Sequence, residues 1–163
     1  MKQIERTRRY LYRMREIYSG VPYIENIQRY ADDVFSFFLH CYHIKDWIAE
    51  LNKLGITKKD IDRFIKQHEE LKICGDLCNG TKHCQLSKDK PSWTGEQPHI
   101  ISESFHSSGN NDILFKTKCK FQVLSMGKLY DALELAEKCM SLWDKYVEEI
   151  NDRYKILKEN HNL

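Results

Sequence analysis

The sequence has no apolar run that approaches the roughly 20 residues needed to cross a bilayer, and its start lacks the hydrophobic stretch of a signal peptide. Its formal net charge is only +2, which is too small to argue for a nucleic-acid partner by itself. It also contains no internal repeat and no low-complexity segment. We therefore expect a soluble, cytoplasmic protein that makes no membrane contact and folds as a single domain over residues 1–163.

Six cysteines in 163 residues resemble a disulfide framework, but their positions argue against one. Cys41, Cys74, Cys78 and Cys139 fall within helical patterns that are rich in apolar residues. A chain of this length with nine tyrosines and seven phenylalanines buries a core without covalent links. We interpret most of the cysteines as reduced packing residues.

Apolar periodicity predicts helices at both ends of the chain. Residues 2–18 form the first expected helix, and residues 23–52 form a long amphipathic second one. A third helix begins at Thr57, with Asp60 placed to complete a capping box, and it is either continuous or broken near Gln67.

The middle of the chain has a different pattern, because residues 89–98 contain two prolines and a glycine and predict a loop. Residues 99–105 and 113–124 then predict a β-hairpin. From Leu129 onwards, apolar residues at intervals of four and three predict a long last helix with one continuous apolar stripe. Because other helices with matching apolar faces are available, a helical bundle is favoured over a two-helix coiled coil. The expected fold is mainly all-α: a four- to five-helix bundle with a β-hairpin before the C-terminal long helix.

Asp76, Asn79 and His83 share one face of the third helix, and we call them the polar stripe. Gly75 and Gly80 lie in the same run, although each costs a helix interior about 0.8 to 1 kcal/mol relative to alanine. The glycines suggest that a ligand or a neighbouring helix comes close to the backbone here. The stripe is either a functional site, or a solvent-facing or satisfied buried polar network.

A second polar cluster on the second helix contains His40, His43, Asp46 and Trp47. If the two helices are neighbours, His43 and Asp46 approach the polar stripe and form one composite site with it. A single histidine on a helix is more often structural, but two clusters on adjacent helices favour a site.

Metal binding and cysteine chemistry are weaker alternatives for the same residues. Zinc sites usually contain two close pairs of ligands, and Cys74 and Cys78 lack a second pair, so neither a metal nor another cofactor is expected. A cysteine nucleophile activated by His83 is also disfavoured. Cys84 is adjacent in sequence and points elsewhere on a helix, and Cys78 lies about 80° out of line.

The run Cys78-Asn-Gly-Thr-Lys-His83 resembles the motif of HEPN domains, in which an arginine, often followed by a polar residue such as asparagine, precedes a histidine with four to six residues between them. Asn79 and His83 match this pattern, whereas Cys78 stands where the family has arginine. The expected bundle is similar to theirs. Residues 38–47 and 76–83 also resemble a group of uncharacterised bacterial helical proteins.

This resemblance implies a metal-independent endoribonuclease in which the histidine and the arginine promote attack of a ribose 2′-hydroxyl on its own phosphate, usually across a dimer interface. It implies a role in bacterial toxin–antitoxin or antiviral defence systems. Carried over by position, His83 is the proton-transfer residue, and Asn79 orients it or the phosphate.

A cysteine cannot supply the fixed bidentate charge of arginine, so Lys82 or Lys72 is expected to replace it, with His43 as the second acid or base. The predicted catalytic residues are therefore His83, His43, Asn79, Lys82 and Asp76.

The first helix adds a basic face that presents Arg6, Arg9 and Arg13 next to Tyr10, and this face fits either phosphate contact or simple solvation. The residues predicted to bind the substrate are Arg6, Arg9, Arg13, Lys72, Asp46 and Trp47. The first hypothesis is an RNA-cleaving or RNA-binding protein, with RNA and either a second copy of the chain or another protein as partners. The alternative is a catalytically inactive bundle, monomeric or dimeric, that binds a protein or a nucleotide, and Cys78 is its main support.

Overall fold

The computed structural model describes residues 1–22, 28–51, 53–83, 92–107 and 116–161. Its helices are α1 (Lys2–Ser19), α2 (Gln28–Tyr42), α3 (Ile44–Leu51), α4 (Lys58–Gln67), α5 (Glu69–His83) and α6 (Ala132–His161), with a 3-10 turn at Lys53–Gly55. Its strands are β1 (Val21–Pro22), β2 (His99–Ser107), β3 (Lys116–Ser125) and β4 (Lys128–Asp131). The expected fold class, a mainly helical bundle with β-strands before the long last helix, is confirmed.

Both of the longer interior helices predicted from the sequence are divided in two. The second one ends at Tyr42 and resumes at Ile44, because the chain turns at His43, whose carbonyl accepts hydrogen bonds from the next helix. The apolar spacing continues through this turn, so periodicity did not reveal it. The third one breaks at His68, whose backbone is extended, next to the break left open at Gln67.

The capping box predicted at the start of α4 is confirmed. The Thr57 side chain accepts a hydrogen bond from the backbone N–H of Asp60, and the Asp60 carboxylate accepts one from the backbone N–H of Thr57. A polar cap of this kind fixes the point at which the helix begins.

The predicted hairpin forms an antiparallel pair of β2 and β3, in register from His99 opposite Leu124 to Ser107 opposite Lys116. The other edge of β3 pairs with β1 at its start and with β4 at its end. β4 occupies residues that periodicity had assigned to the last helix. That helix begins only at Ala132, because the Asp131 carboxylate accepts hydrogen bonds from the N–H groups of Leu133 and Glu134.

The core lies where α2 packs against α1, α5 and α6, and the sheet covers α1 and α6. Its largest fully buried side chains include Trp143, Phe37, Phe38, Phe121 and Met14. The five cysteines in the described part of the chain are buried and form no disulfide with one another. No described helix is both long enough and apolar enough to cross a membrane.

Candidate functional site

Asp76 is fully buried on α5 and accepts four hydrogen bonds from the segment that follows the helix. Its Oδ1 accepts from the backbone N–H of Trp93 at 2.7 Å. Its Oδ2 accepts from the hydroxyl of Ser92 at 2.6 Å, and from the N–H and hydroxyl of Thr94 at 2.8 and 2.7 Å. Both oxygens are thus occupied in anchoring residues 92–94 to α5. This part of the polar stripe is a satisfied buried network, one of the alternatives left open by the sequence.

Gly75 allows the same segment to come close to α5. A Cβ atom here would lie 2.8 Å from ring carbons of both Trp93 and Tyr42, and the Trp93 indole N–H donates to the Tyr42 hydroxyl at 2.9 Å. At Gly80 a Cβ atom would meet only the end of the Gln97 side chain, at 3.3 Å. The close approach at Gly75 is therefore made by two aromatic rings of the protein itself, Trp93 and Tyr42, and Tyr42 belongs to the neighbouring helix α2.

His43 lies in the turn between α2 and α3 and reaches α5. Its Nδ1 lies 2.9 Å from Oδ2 of Asp46, and its Nε2 lies 4.0 Å from the sulfur of Cys78. The His43 side chain is 30% exposed, whereas Cys78 is fully buried. The structure thus brings His43 of the second cluster against α5 at Cys78, which is not a member of the polar stripe.

The Asp46 carboxylate fixes the orientation of this imidazole. Burial opposes ionisation of Asp46, but hydrogen bonds from His43 and Lys45 outweigh it and lower the pKa of the carboxyl group. An ionised carboxylate can only accept, so Nδ1 of His43 carries a proton, and Nε2 is the nitrogen that faces α5.

The rest of the predicted motif follows Cys78 along α5. Asn79 is half-buried and, by helical spacing, lies on the side of α5 that carries Gly75. Lys82 and His83 form the last turn of the helix, and their side chains lie outside the described part of the structure. Their proposed roles stay predictions.

His40 belongs to the second polar cluster but was not among the predicted site residues. Its ring stacks on Tyr10 with centroids 5.0 Å apart, and its backbone carbonyl accepts a hydrogen bond from the buried Gln3 at 2.7 Å. Burial and the nearby charges of Arg6, His43 and Arg9 lower the pKa of His40. The available signal was its spacing of three residues from His43, which puts both imidazoles near one face of the helix.

The basic face of α1 divides into paired and outward-facing arginines. Arg13 forms an ion pair with Asp33 at 3.1 Å and lies over the Tyr10 ring. Arg6 and Arg9 are exposed, and their charges act on His40. We use the name histidine surface for Arg6, Arg9, Tyr10, His40 and His43.

Two other predicted binding residues lie at the edges of this region. Lys72 is half-buried on α5, two helical turns before Asn79, and Trp47 is 39% exposed on α3 beside Asp46. Asp46 is itself exposed and also pairs with Lys45 at 3.0 Å.

The histidine surface combines an imidazole oriented by a carboxylate with two guanidinium groups. Such a set is suited to proton transfer and to phosphate binding. Within the described residues, the one group of three metal-ligating side chains that converges lies elsewhere, in the core, and consists of Cys41, Cys74 and Cys139.

Comparisons with protein-family models, curated proteins and solved structures found no match to this chain. The resemblance to HEPN domains therefore stays a prediction that depends on Asn79 and His83.

Proposed function

We propose that this protein binds RNA at the histidine surface and cleaves it without a metal ion. The observation that carries the proposal is the contact of His43 with Cys78, because it places an imidazole beside the position where the resembled motif has its arginine. The missing positive charge is then supplied by α1, whose Arg6 and Arg9 act on His40, the histidine one turn before His43.

In this proposal His43 and His83 exchange protons with the ribose 2′-hydroxyl and the leaving oxygen. Imidazole suits this task because its ordinary pKa of about 6.5 makes both protonation states accessible near neutral pH. Arg6 and Arg9 hold the phosphate, and Asn79 orients it. Asp76 is left out of the catalytic set, because both of its oxygens anchor residues 92–94.

The cleavage test uses a labelled single-stranded RNA, the purified protein and an excess of chelator. We expect wild-type protein to produce ends with a 2′,3′-cyclic phosphate, and His43→Gln to reduce the rate by about 100-fold or more, as is typical when a general acid or base is lost. His99→Gln, at an exposed histidine on β2, is the matched control and should retain activity. Absence of cleavage by the wild-type protein, or full activity of His43→Gln, would contradict the catalytic part of the proposal.

The binding test compares two pairs of arginines on the same helix. We expect Arg6→Gln with Arg9→Gln to weaken RNA binding and to reduce the slope of log affinity against log salt by about 1.4, which corresponds to two lost phosphate contacts. The control pair is Arg8→Gln with Arg15→Gln, because these side chains form ion pairs with Asp144 and Glu137 of α6. Binding that does not respond to salt would exclude the histidine surface as an RNA site.

A second candidate function is an RNA-binding or protein-binding module without catalysis. It is favoured by Cys78, a fully buried cysteine at the position where the motif has the guanidinium of an arginine. Salt-dependent RNA binding that depends on Arg6 and Arg9, with no cleavage by the wild-type protein, would support it.

A further inference from the structure

Three thiols from three different helices meet in the core, at a place that the proposed RNA site does not use. Cys41 lies on α2, Cys74 on α5 and Cys139 on α6, and each of them is fully buried. Their sulfur atoms all lie within 4.8 Å of one another. Ion–sulfur bonds of about 2.3 Å would hold three sulfurs roughly 3.5 to 4 Å apart, so only a small contraction separates the observed cluster from a three-coordinate site.

The surroundings of the cluster distinguish one sulfur from the other two. Cys74 and Cys139 donate to helix carbonyls, of Phe38 at 3.4 Å and of Glu70 at 3.3 Å. Burial works against ionisation of Cys41, but the neighbouring thiols and the Trp143 indole outweigh it and lower the pKa of the Cys41 thiol. Burial raises the pKa of the other two thiols well above their usual range.

The indole nitrogen of Trp143 is a second, independent indication of a site. Trp143 is fully buried, and its Nε1 has no hydrogen-bond acceptor in regular geometry among the described residues. It nevertheless lies close enough to Cys41 to favour the thiolate. A buried N–H donor without a regular acceptor is costly, and a sulfur that carries more negative charge would satisfy it.

We propose that Cys41, Cys74 and Cys139 together bind one soft, three-coordinate ion, and that the site favours trivalent arsenic or a similar thiophilic trivalent ion. Thiolates are soft ligands and select soft ions. No fourth cysteine, histidine or carboxylate from the described residues joins the three sulfurs, which disfavours the tetrahedral coordination of a structural zinc ion.

Charge decides between the soft ions. A net charge in a dry core is expensive, and the charged groups that act on the cluster are carboxylates: Asp144 raises the pKa of Cys41, and Glu70 raises that of Cys139. Three thiolates around a monovalent copper ion carry two negative charges, and around zinc they carry one. Three thiolates around a trivalent ion carry none.

Binding of arsenic from arsenous acid is a ligand exchange that needs no oxidant or reductant. Three As–O bonds break and three As–S bonds form, and each thiol proton leaves with a hydroxide as water, so that three waters are released and arsenic remains trivalent. Arsenous acid is uncharged at neutral pH, which suits entry into an apolar core. Because the sulfurs are fully buried, entry requires the helices to open, and the ion is best supplied while the reduced chain refolds.

The test refolds the reduced full-length chain with and without sodium arsenite and then measures intact mass, reactive thiols and the urea midpoint. We expect one arsenic per chain with the loss of three hydrogens, a fall of three in the number of reactive thiols, and a higher midpoint. Cys139→Ala and Cys74→Ala should lose this adduct. Cys119→Ala, at a buried cysteine on β3 outside the cluster, is the matched control and should retain it.

Cys139→Ala and Cys74→Ala are both made because either substitution alone can prevent folding. Circular dichroism shows which of the two variants is folded. A wild-type chain that takes up no arsenic, or a folded Cys139→Ala or Cys74→Ala that keeps the full adduct, would overturn the site. In direct competition, stronger retention of Cu(I) or Zn(II) than of arsenic would overturn the assignment of the ion.

Discussion

Asp76 lies in the middle of α5 and His43 contacts the same part of that helix at Cys78, but the surroundings of the two polar residues differ. Asp76 is fully buried, and each of its oxygens accepts hydrogen bonds from residues 92–94. His43 is 30% exposed, and its ring is oriented by a carboxylate on one side and contacts a sulfur on the other. A saturated buried carboxylate indicates a structural anchor, whereas a partly exposed, oriented imidazole is the kind of group that the proposed proton transfer requires.

The largest effect is expected from removing the anchor. Asp76→Ala deletes a charged acceptor of four hydrogen bonds, and we expect it to lower the free energy of unfolding by about 3 kcal/mol. Urea unfolding measures this change. Asp152→Ala, which removes an exposed ion pair with Lys155, is the control and should change stability by less than about 0.5 kcal/mol. Equal effects of the two substitutions would show that Asp76 does not anchor the segment.

The two glycines of α5 test how closely that segment packs. Alanine at Gly75 would clash with the rings of Trp93 and Tyr42, so we expect a net loss of about 1 to 2 kcal/mol after the gain in helix propensity. Alanine at Gly80 meets only a flexible side-chain end, and its gain of up to about 1 kcal/mol should remain. Thermal and urea unfolding of the two variants give the difference. The same sign for both would contradict the close approach of Trp93.

The smallest effect concerns the histidine surface and its pH dependence. Burial, Arg6, His43 and Arg9 lower the pKa of His40, so the unfolded chain binds the proton more readily than the folded one. Stability is therefore retained above about pH 6.5 and falls as the pH decreases through the lower pKa of the folded state. His40→Gln should flatten this fall by less than about 1 kcal/mol, because the ring is partly exposed to solvent.

Unfolding measured between about pH 5 and 7 separates His40 from the carboxyl groups, whose ordinary pKa values lie lower. An unchanged pH profile of His40→Gln would show that burial and the neighbouring charges do not lower the pKa of this ring. His99→Gln provides the matched profile of an exposed histidine on β2.

Local signals predicted most of the fold. The apolar stripe of α6, the capping box at Thr57 and the strands around the turn-rich segment are all encoded within a few residues, and all were found. The break at His43 was missed because the apolar spacing continues through the turn. The start of α6 was placed too early because β4 carries apolar residues that fit the same interval.

The candidate site was only partly predictable. The sequence selected His43, Asp46 and Asp76 and suggested that the two clusters approach each other. It did not show that Asp76 is occupied by residues 92–94, because those donors lie 16 to 18 positions away in a segment without periodicity. It also did not select His40, whose altered environment comes from side chains of α1.

By itself, the sequence determined the helical class, the position of the strands before the last helix and the choice of polar residues on α5, because periodicity, caps and turns act over short distances. Only the tertiary structure decided that the hydrogen-bonding capacity of Asp76 is used within the fold and that His43 is partly exposed. It alone brought Cys41, Cys74 and Cys139 to one point, since residues on three helices meet through packing that no local pattern records.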